Sequence, residues 1–117
     1  MKDNIAHPKI LVLWEKQMHL LFDCTQRFPK ISRFTFAQRI DNLTLDLAQY
    51  LVLAQYSVRR DTAIHLHEAN LVLAQLRLLL RLSCDRKYLS IKQTENFTKA
   101  FAEIGAGIHR WEQEVLS

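Results

Sequence analysis

Two arginines on a leucine-rich segment are the residues of this sequence best suited by type and spacing to bind a charged ligand. Arg77 and Arg81 are four residues apart, so a helix places them on one face. Because apolar residues surround them, an unpaired charge there would be costly. We therefore expect each guanidinium to meet a carboxylate, a water-filled channel or a phosphate. The planar fork of arginine can donate two hydrogen bonds to a phosphate.

Further basic residues lie near the predicted turns and helix ends. They are Lys30, Arg33, Arg59, Arg60, Arg86, Lys87 and Arg110. The formal net charge of +4 permits nucleic-acid binding but does not establish it. The alternative is that these side chains are solvated or form local ion pairs, such as Arg81 with Asp85. We predict that the seven residues, together with Arg77 and Arg81, form a surface that binds RNA or DNA.

Sequence motifs for catalysis and for metal binding are missing. A di-iron bundle needs Glu-x-x-His on two helices, whereas His65 with Glu68 and His109 with Glu112 run in the reverse order. Neither cysteine has a histidine one helical turn away, so both are expected to be buried thiols that pack as small apolar groups. We therefore expect no enzyme, no catalytic residue, no metal and no cofactor.

Apolar residues recur every three or four positions through most of the chain, which predicts helices. Pro8 suits the first position of the first helix, and Pro29 ends it. Ser32 is the expected N-cap of the second helix. The predicted core-facing residues are Leu11, Trp14, Met18, Leu21 and Thr25 in the first helix, and Phe36, Ile40, Leu43, Leu47, Leu51, Ala54 and Val58 in the second.

A short polar break at residues 59–61 is predicted to separate the second helix from the third. Asp61 or Thr62 is the expected N-cap of the third helix. Ser90 followed by Gln93 matches a capping box and predicts the start of the fourth helix. The predicted core-facing residues of the fourth helix are Phe97, Phe101, Ile104, Ile108, Trp111 and Val115.

Two glycines interrupt the helical pattern of the fourth helix. Gly105 and Gly107 each cost on the order of 1 kcal/mol relative to alanine at a helical position. Such positions allow another group to approach the backbone closely. Packing of a neighbouring helix is the favoured interpretation, and a bound phosphate is the alternative.

The four predicted helices indicate an all-α, up-down antiparallel four-helix bundle, with residues 1–117 forming one domain. Only 2 glycines and 2 prolines occur, too few for the many turns of a sandwich or barrel. No apolar run approaches the roughly 20 residues of a membrane span, and residues 1–8 lack the features of a signal peptide. The expected compartment is the cytoplasm, with no membrane partner.

The third helix is apolar on nearly every side between residues 66 and 82. A bundle of four short helices cannot surround one of its own members. We therefore predict a homo-oligomer, in which this helix packs on its own core and on another subunit. The expected interface residues are Leu66, Leu73, Leu76, Leu80, Gly105 and Trp111.

Several short segments resemble a known family of four-helix bundle proteins. The segments are Arg27-Phe28-Pro29-Lys30 with Arg33-Phe34, Leu76-Arg77-Leu78-Leu79-Leu80-Arg81-Leu82, Tyr88-Leu89-Ser90, Glu103-Ile104-Gly105 and Trp111. In order and spacing they resemble the family that includes the accessory variability determinant of diversity-generating retroelements. Proteins encoded in intervening sequences of bacterial 23S ribosomal RNA genes are relatives.

The resemblance implies a ring-shaped homopentamer with a basic surface, which binds nucleic acid and associates with a reverse transcriptase. Such a protein supports mutagenic synthesis of complementary DNA without catalysis of its own. Lys30, Arg33, Arg77 and Arg81 match basic positions of the family, whereas Ala106 replaces an arginine of the family pattern. The alternative is a stand-alone oligomeric structural or interaction protein of the intervening-sequence type, in which the basic residues form ion pairs between subunits.

Overall fold

Four long helices joined by short turns make up the part of the chain that the computed structural model describes, residues 8–117. Helix α1 spans Pro8–Thr25, α2 Gln38–Tyr56, α3 Arg59–Asp85 and α4 Ile91–Leu116. Consecutive helices pack side by side, α1 also meets α4, and the bundle measures 45 × 24 × 19 Å. The predicted up-down four-helix bundle is confirmed for these residues. Residues 1–7, where signal-peptide features were sought, lie outside the described part.

The core is formed by one apolar face from each helix, as the periodicity predicted. Trp14 is fully buried, and its indole N–H donates a hydrogen bond to the main-chain oxygen of Thr44 at 3.2 Å. Its ring also packs against Phe101, with 5.5 Å between the ring centroids. Trp14 of α1 therefore contacts both neighbouring helices, α2 and α4.

The start of α2 differs from the prediction, because Ser32 does not cap it. Ser32 is buried in a 3-10 turn, and its hydroxyl donates to the main-chain oxygen of Pro29 at 2.8 Å. A π-helix follows, closed by a bond from the Gln38 N–H to the Arg33 carbonyl oxygen. Arg33 precedes Ile40 by seven residues, so an unbroken α-helix would turn both toward the core. The wider π turn leaves Arg33 exposed while Ile40 stays buried.

The start of α3 also differs, because the predicted polar break is helical. Neither Asp61 nor Thr62 is the N-cap; α3 begins at Arg59 with Val58 before it. The Thr62 hydroxyl instead lies within hydrogen-bond distance of three main-chain oxygens, those of Ala54, Ser57 and Val58, at 3.1, 3.0 and 3.2 Å. Val58, expected on the core face of α2, is an exposed residue between the helices.

The capping box at the start of α4 is confirmed. The Gln93 N–H donates to the Ser90 hydroxyl oxygen at 3.0 Å, and the Ser90 N–H donates to Gln93 Oε1 at 2.9 Å. Before it, α3 ends in a turn whose Tyr88 N–H donates back to the Ser83 carbonyl oxygen. Lys87 stands in this turn with φ = 66°, which is a left-handed conformation that favours glycine.

We expect the substitution Lys87→Gly to raise the free energy of unfolding by about 1 kcal/mol, because glycine adopts this backbone conformation without steric cost. In thermal unfolding the midpoint should rise by roughly 4 °C. The control is Arg86→Gly, one residue earlier at a negative φ of −86°, which should not stabilise the protein. Equal changes in the unfolding midpoint for the two glycine variants would contradict a left-handed backbone conformation at Lys87.

Both glycines of α4 lie where another helix approaches, which confirms packing as their role. A Cβ added at Gly105 would lie 3.0 Å from Nη2 of Arg77 and 3.2 Å from Cδ2 of Leu73, both on α3. A Cβ at Gly107 would lie 3.1 Å from Cδ1 of Ile10 on α1. The two glycines thus allow close contact with different neighbours.

Five of the six residues predicted for the oligomer interface lie within the core of one chain, and the sixth, Gly105, is half-buried beside α3. Leu66, Leu73, Leu76, Leu80 and Trp111 are all buried there, so this conformation leaves them no surface for a second chain. The opposite face of α3 is apolar and between 39% and 53% exposed. We call it the outward stripe of α3, and it consists of Ile64, Leu71, Leu78 and Leu82.

Candidate nucleic-acid interface

An aromatic cluster joins the α1–α2 connection to the α3–α4 turn at one end of the bundle. The ring of Tyr88 lies 5.5 Å from that of Phe28 and 5.4 Å from that of Phe36, measured between centroids. These contacts follow from the up-down topology, which places the end of α1, the start of α2, the end of α3 and the start of α4 together. Two segments distant in sequence therefore form one surface.

Five of the predicted binding residues belong to that surface, Arg81 near the end of α3 and four from the two connections. Lys30 and Arg33 come from the first connection, Arg86 and Lys87 come from the second, and all four side chains are exposed. Arg86 Nε also donates to the Tyr88 hydroxyl oxygen at 3.4 Å, which ties it to the aromatic cluster. We call this surface the cationic end, and it comprises residues 23–41 and 79–95.

The excess of positive charge is confined to the cationic end. Its two segments carry eight Lys or Arg residues and four Asp or Glu residues, whereas the rest of the chain carries eight of each. Three of these basic residues are exposed and were not among the predicted binding residues: Arg27, Arg39 and Lys92. Such a one-sided distribution attracts polyanions more strongly than the same charge spread evenly.

Arg77 and Arg81 share a face of α3 but differ in their contacts. Arg77 Nη2 donates to the main-chain oxygen of Phe101 at 3.0 Å and lies beside Gly105 on α4. Its partner is thus a main-chain carbonyl oxygen, whereas a carboxylate, a water-filled channel or a phosphate had been predicted. Arg81 is exposed and, within the described part of the chain, forms neither an ion pair nor a side-chain hydrogen bond. The ion pair with Asp85 is therefore not formed, and the Arg81 guanidinium is available to a phosphate.

We expect Arg77→Ala to lower the free energy of unfolding by about 1 kcal/mol, because it removes a hydrogen bond to α4. Arg81→Ala should change it by less than about 0.5 kcal/mol, since an exposed side chain without partners contributes little. Chemical denaturation of the two variants measures the difference. A larger loss for Arg81→Ala would contradict these roles.

The other three predicted binding residues lie at the opposite end of the bundle. Arg59 is engaged there, with Nε donating to the Val115 carbonyl oxygen at 3.2 Å and Nη2 to that of Ser117 at 3.1 Å. Arg60 and Arg110 are exposed. Since α3 has 27 residues, roughly 40 Å separates its two ends. The structure therefore does not bring these three residues together with the cationic end.

Two apolar side chains of the α1–α2 connection are almost fully exposed at the cationic end, and neither was among the predicted binding residues. Ile31 is 86% and Phe34 is 81% exposed. Phe34 lies in the π-helix and lines two clefts, one of about 410 Å³ and one of about 480 Å³. The available signal was the cation directly before each of them, Lys30 before Ile31 and Arg33 before Phe34.

The surroundings of Cys24 disfavour the thiolate that a nucleophile requires. Cys24 and Cys84 are half-buried and free, rather than fully buried as expected. Burial raises the pKa of the Cys24 thiol, with a further contribution from Asp23. The thiol also accepts a hydrogen bond from Gln93 Nε2 at 3.6 Å. A protonated thiol is a weak nucleophile. Among the described residues, no group of three His, Cys, Asp or Glu side chains could hold a metal ion.

Comparisons with known proteins identify one family. A family model described as bAvd-like, for bacterial accessory variability determinant, matches residues 7–115. No curated protein and no solved structure matches the chain. The resemblance noted in the sequence is thereby confirmed. Within residues 8–117, no helix combines the length with the apolar character that crossing a membrane requires.

Proposed function

This chain belongs to the bAvd-like family, and on that premise we propose that it is a non-catalytic accessory protein that binds nucleic acid through its cationic end. In this role it associates with a reverse transcriptase and supports mutagenic synthesis of complementary DNA in a diversity-generating retroelement. Its direct ligand is the phosphate backbone of RNA or DNA.

The observation that carries this proposal is the concentration of the whole net charge at one end of the bundle. Phosphate contacts of exposed Lys and Arg give binding that depends little on base sequence and falls steeply with salt. The aromatic cluster fixes the relative position of Lys30, Arg33, Arg86 and Lys87. These side chains are thus presented on one surface before a ligand arrives.

Fluorescence anisotropy titration of the full chain with labelled single-stranded and duplex nucleic acid tests the proposal. We expect binding at about 50 mM salt that weakens by at least about tenfold at 200 mM. Absence of binding at the lower salt concentration would reject nucleic acid as the ligand. Copurification with a retroelement reverse transcriptase from the same genome tests the retroelement role. Failure to copurify, with binding retained, would favour the stand-alone alternative.

We further propose that the outward stripe of α3 is the surface on which copies of the chain assemble, with the pentameric ring as the expected form. Its residues follow one another at steps of seven, seven and four along α3, so they lie on one line of the helix. Each loses part of its contact with water when a second chain covers it. A ring would also multiply the positive charge offered to one nucleic-acid strand.

We expect Leu71→Glu with Leu78→Glu to give a folded monomer, because two carboxylates cannot be buried at this interface. Light scattering should report about one chain mass, 13.8 kDa, for this variant and a multiple of it for the unaltered protein. The control is Val12→Glu, on an exposed apolar residue of α1, which should leave the assembly intact. An unaltered protein that is already monomeric would contradict the assembly.

A further inference from the structure

Phe34 occupies a position that the fold of the single chain does not explain. Full burial of a phenylalanine side chain contributes about 1.5–3 kcal/mol, yet Phe34 is 81% exposed. Its neighbour Phe36 is half-buried and packs against Tyr88, so the same short segment holds one aromatic ring inward and one outward. The outward ring is therefore presented on a segment that the rest of the bundle holds in place.

The groups around Phe34 combine positive charge with neutral hydrogen-bonding side chains. Arg33 lines one of the two clefts that Phe34 borders, and Arg39 lines the other. Gln38 and Asn42 line both clefts, and their amides can donate to and accept from the edge of a nucleobase. Asp41 also lines one cleft, where it accepts a hydrogen bond from the Thr25 hydroxyl at 2.7 Å.

We infer that Phe34 is a stacking platform for an unpaired nucleobase, with the phosphates on either side of that base held by Arg33 and Arg39. This inference rests on the proposed function, since it specifies the nucleic acid that the cationic end binds. Aromatic side chains bind single strands by stacking on exposed base faces, which a duplex conceals within its own stack. The cationic end therefore prefers single-stranded RNA or DNA, or a frayed end, over a closed duplex.

The π-helix gives this platform its orientation. It moves Arg33 away from the core and places Phe34 beside it on the surface. Ala37, at the end of the same π turn, is buried, and Gln38 continues directly into α2. Little ordering of the protein is then required when a base stacks on the ring, which favours binding.

The test compares Phe34→Ala with Ile31→Ala in the full-length protein. Ile31 is equally exposed at the same end but cannot stack on a base, so it is the matched control. We expect Phe34→Ala to weaken binding of a labelled oligo(U) or oligo(dT) strand by about 5-fold to 100-fold and to leave duplex binding unchanged. The Ile31→Ala variant should bind both probes like the unaltered protein.

Each other outcome has a defined meaning. If the unaltered protein binds neither probe at about 50 mM salt, the proposed function fails together with this inference. If the unaltered protein binds both probes, and Phe34→Ala weakens the binding of both equally or of neither, the stacking inference is overturned and the proposed function is not. If Phe34→Ala changes the subunit number in light scattering, Phe34 is a contact between copies of the chain, and stacking is again overturned.

Fluorescence of a Phe34→Trp variant provides a second, independent readout. Both native tryptophans, Trp14 and Trp111, are buried, so an exposed indole at position 34 emits at longer wavelength than either. We expect oligo(dT) to quench this red-shifted emission, while a duplex of the same length does not. Quenching by the duplex to the same extent would contradict stacking on an unpaired base.

Discussion

Replacing Trp14 with alanine is expected to lower the free energy of unfolding by about 3–5 kcal/mol. The indole is fully buried, contacts Phe101 on α4 and donates its N–H to Thr44 on α2. Its removal leaves a cavity at the point where three helices meet and takes the indole N–H donor away from the Thr44 carbonyl oxygen. Chemical denaturation at fixed protein concentration measures the loss.

Two further variants separate these contributions. Trp14→Phe keeps an aromatic ring in the core and loses the hydrogen bond, so it should cost less than Trp14→Ala. Leu20→Ala, on the exposed side of α1, should change the free energy of unfolding by less than about 1 kcal/mol. A loss below about 1 kcal/mol for Trp14→Ala would mean that this packing is not formed in solution.

The largest effect on binding is expected from neutralising the cationic end. A variant with alanine at Lys30, Arg33, Arg86 and Lys87 should bind nucleic acid at least about 100-fold more weakly at low salt. Each lost phosphate contact lowers the slope of log K against log salt by about 0.9 for duplex DNA, so the slope should fall by roughly three to four. All four side chains are exposed, and the fold should tolerate their loss.

The matched control removes the same amount of charge from elsewhere on the bundle. It carries alanine at Lys9, Lys16, Arg60 and Arg110, which are all exposed and lie outside the cationic end. This variant should retain most of the salt slope and of the affinity. Equal losses in the two variants would show that only total charge matters and would contradict a localised site.

The sequence predicted a helix start correctly where two residues of one capping motif occurred together. The capping box at Ser90 was identified because its hydrogen bonds join residues only three positions apart. The start of α2 was missed because Ser32 has the right side chain for a cap but is held in a 3-10 turn. The π turn that follows keeps Arg33 out of the core, and the residue types that cap helices carry no signal for such a turn.

The candidate site could be predicted only as a set of residue types. Which basic residues share a surface depends on the bundle topology, which brings Lys30 and Arg86 together and sends Arg60 to the far end. The position of the Arg77 guanidinium depends on Gly105 on a different helix, because the missing Cβ leaves room for it beside α4. The sequence marks the exposure of Phe34 only by the cation directly before it, since the π turn that places the ring on the surface forms in the folded bundle.

Lysine acetylation footprinting, with and without bound nucleic acid, measures the location of the site on the unaltered protein. Lysines of the cationic end are Lys30, Lys87 and Lys92, and the exposed lysines elsewhere in residues 8–117 are Lys9, Lys16 and Lys99. We expect nucleic acid to protect the first group and leave the reactivity of the second unchanged. Uniform protection of all six, or protection confined to the second group, would contradict binding at the cationic end.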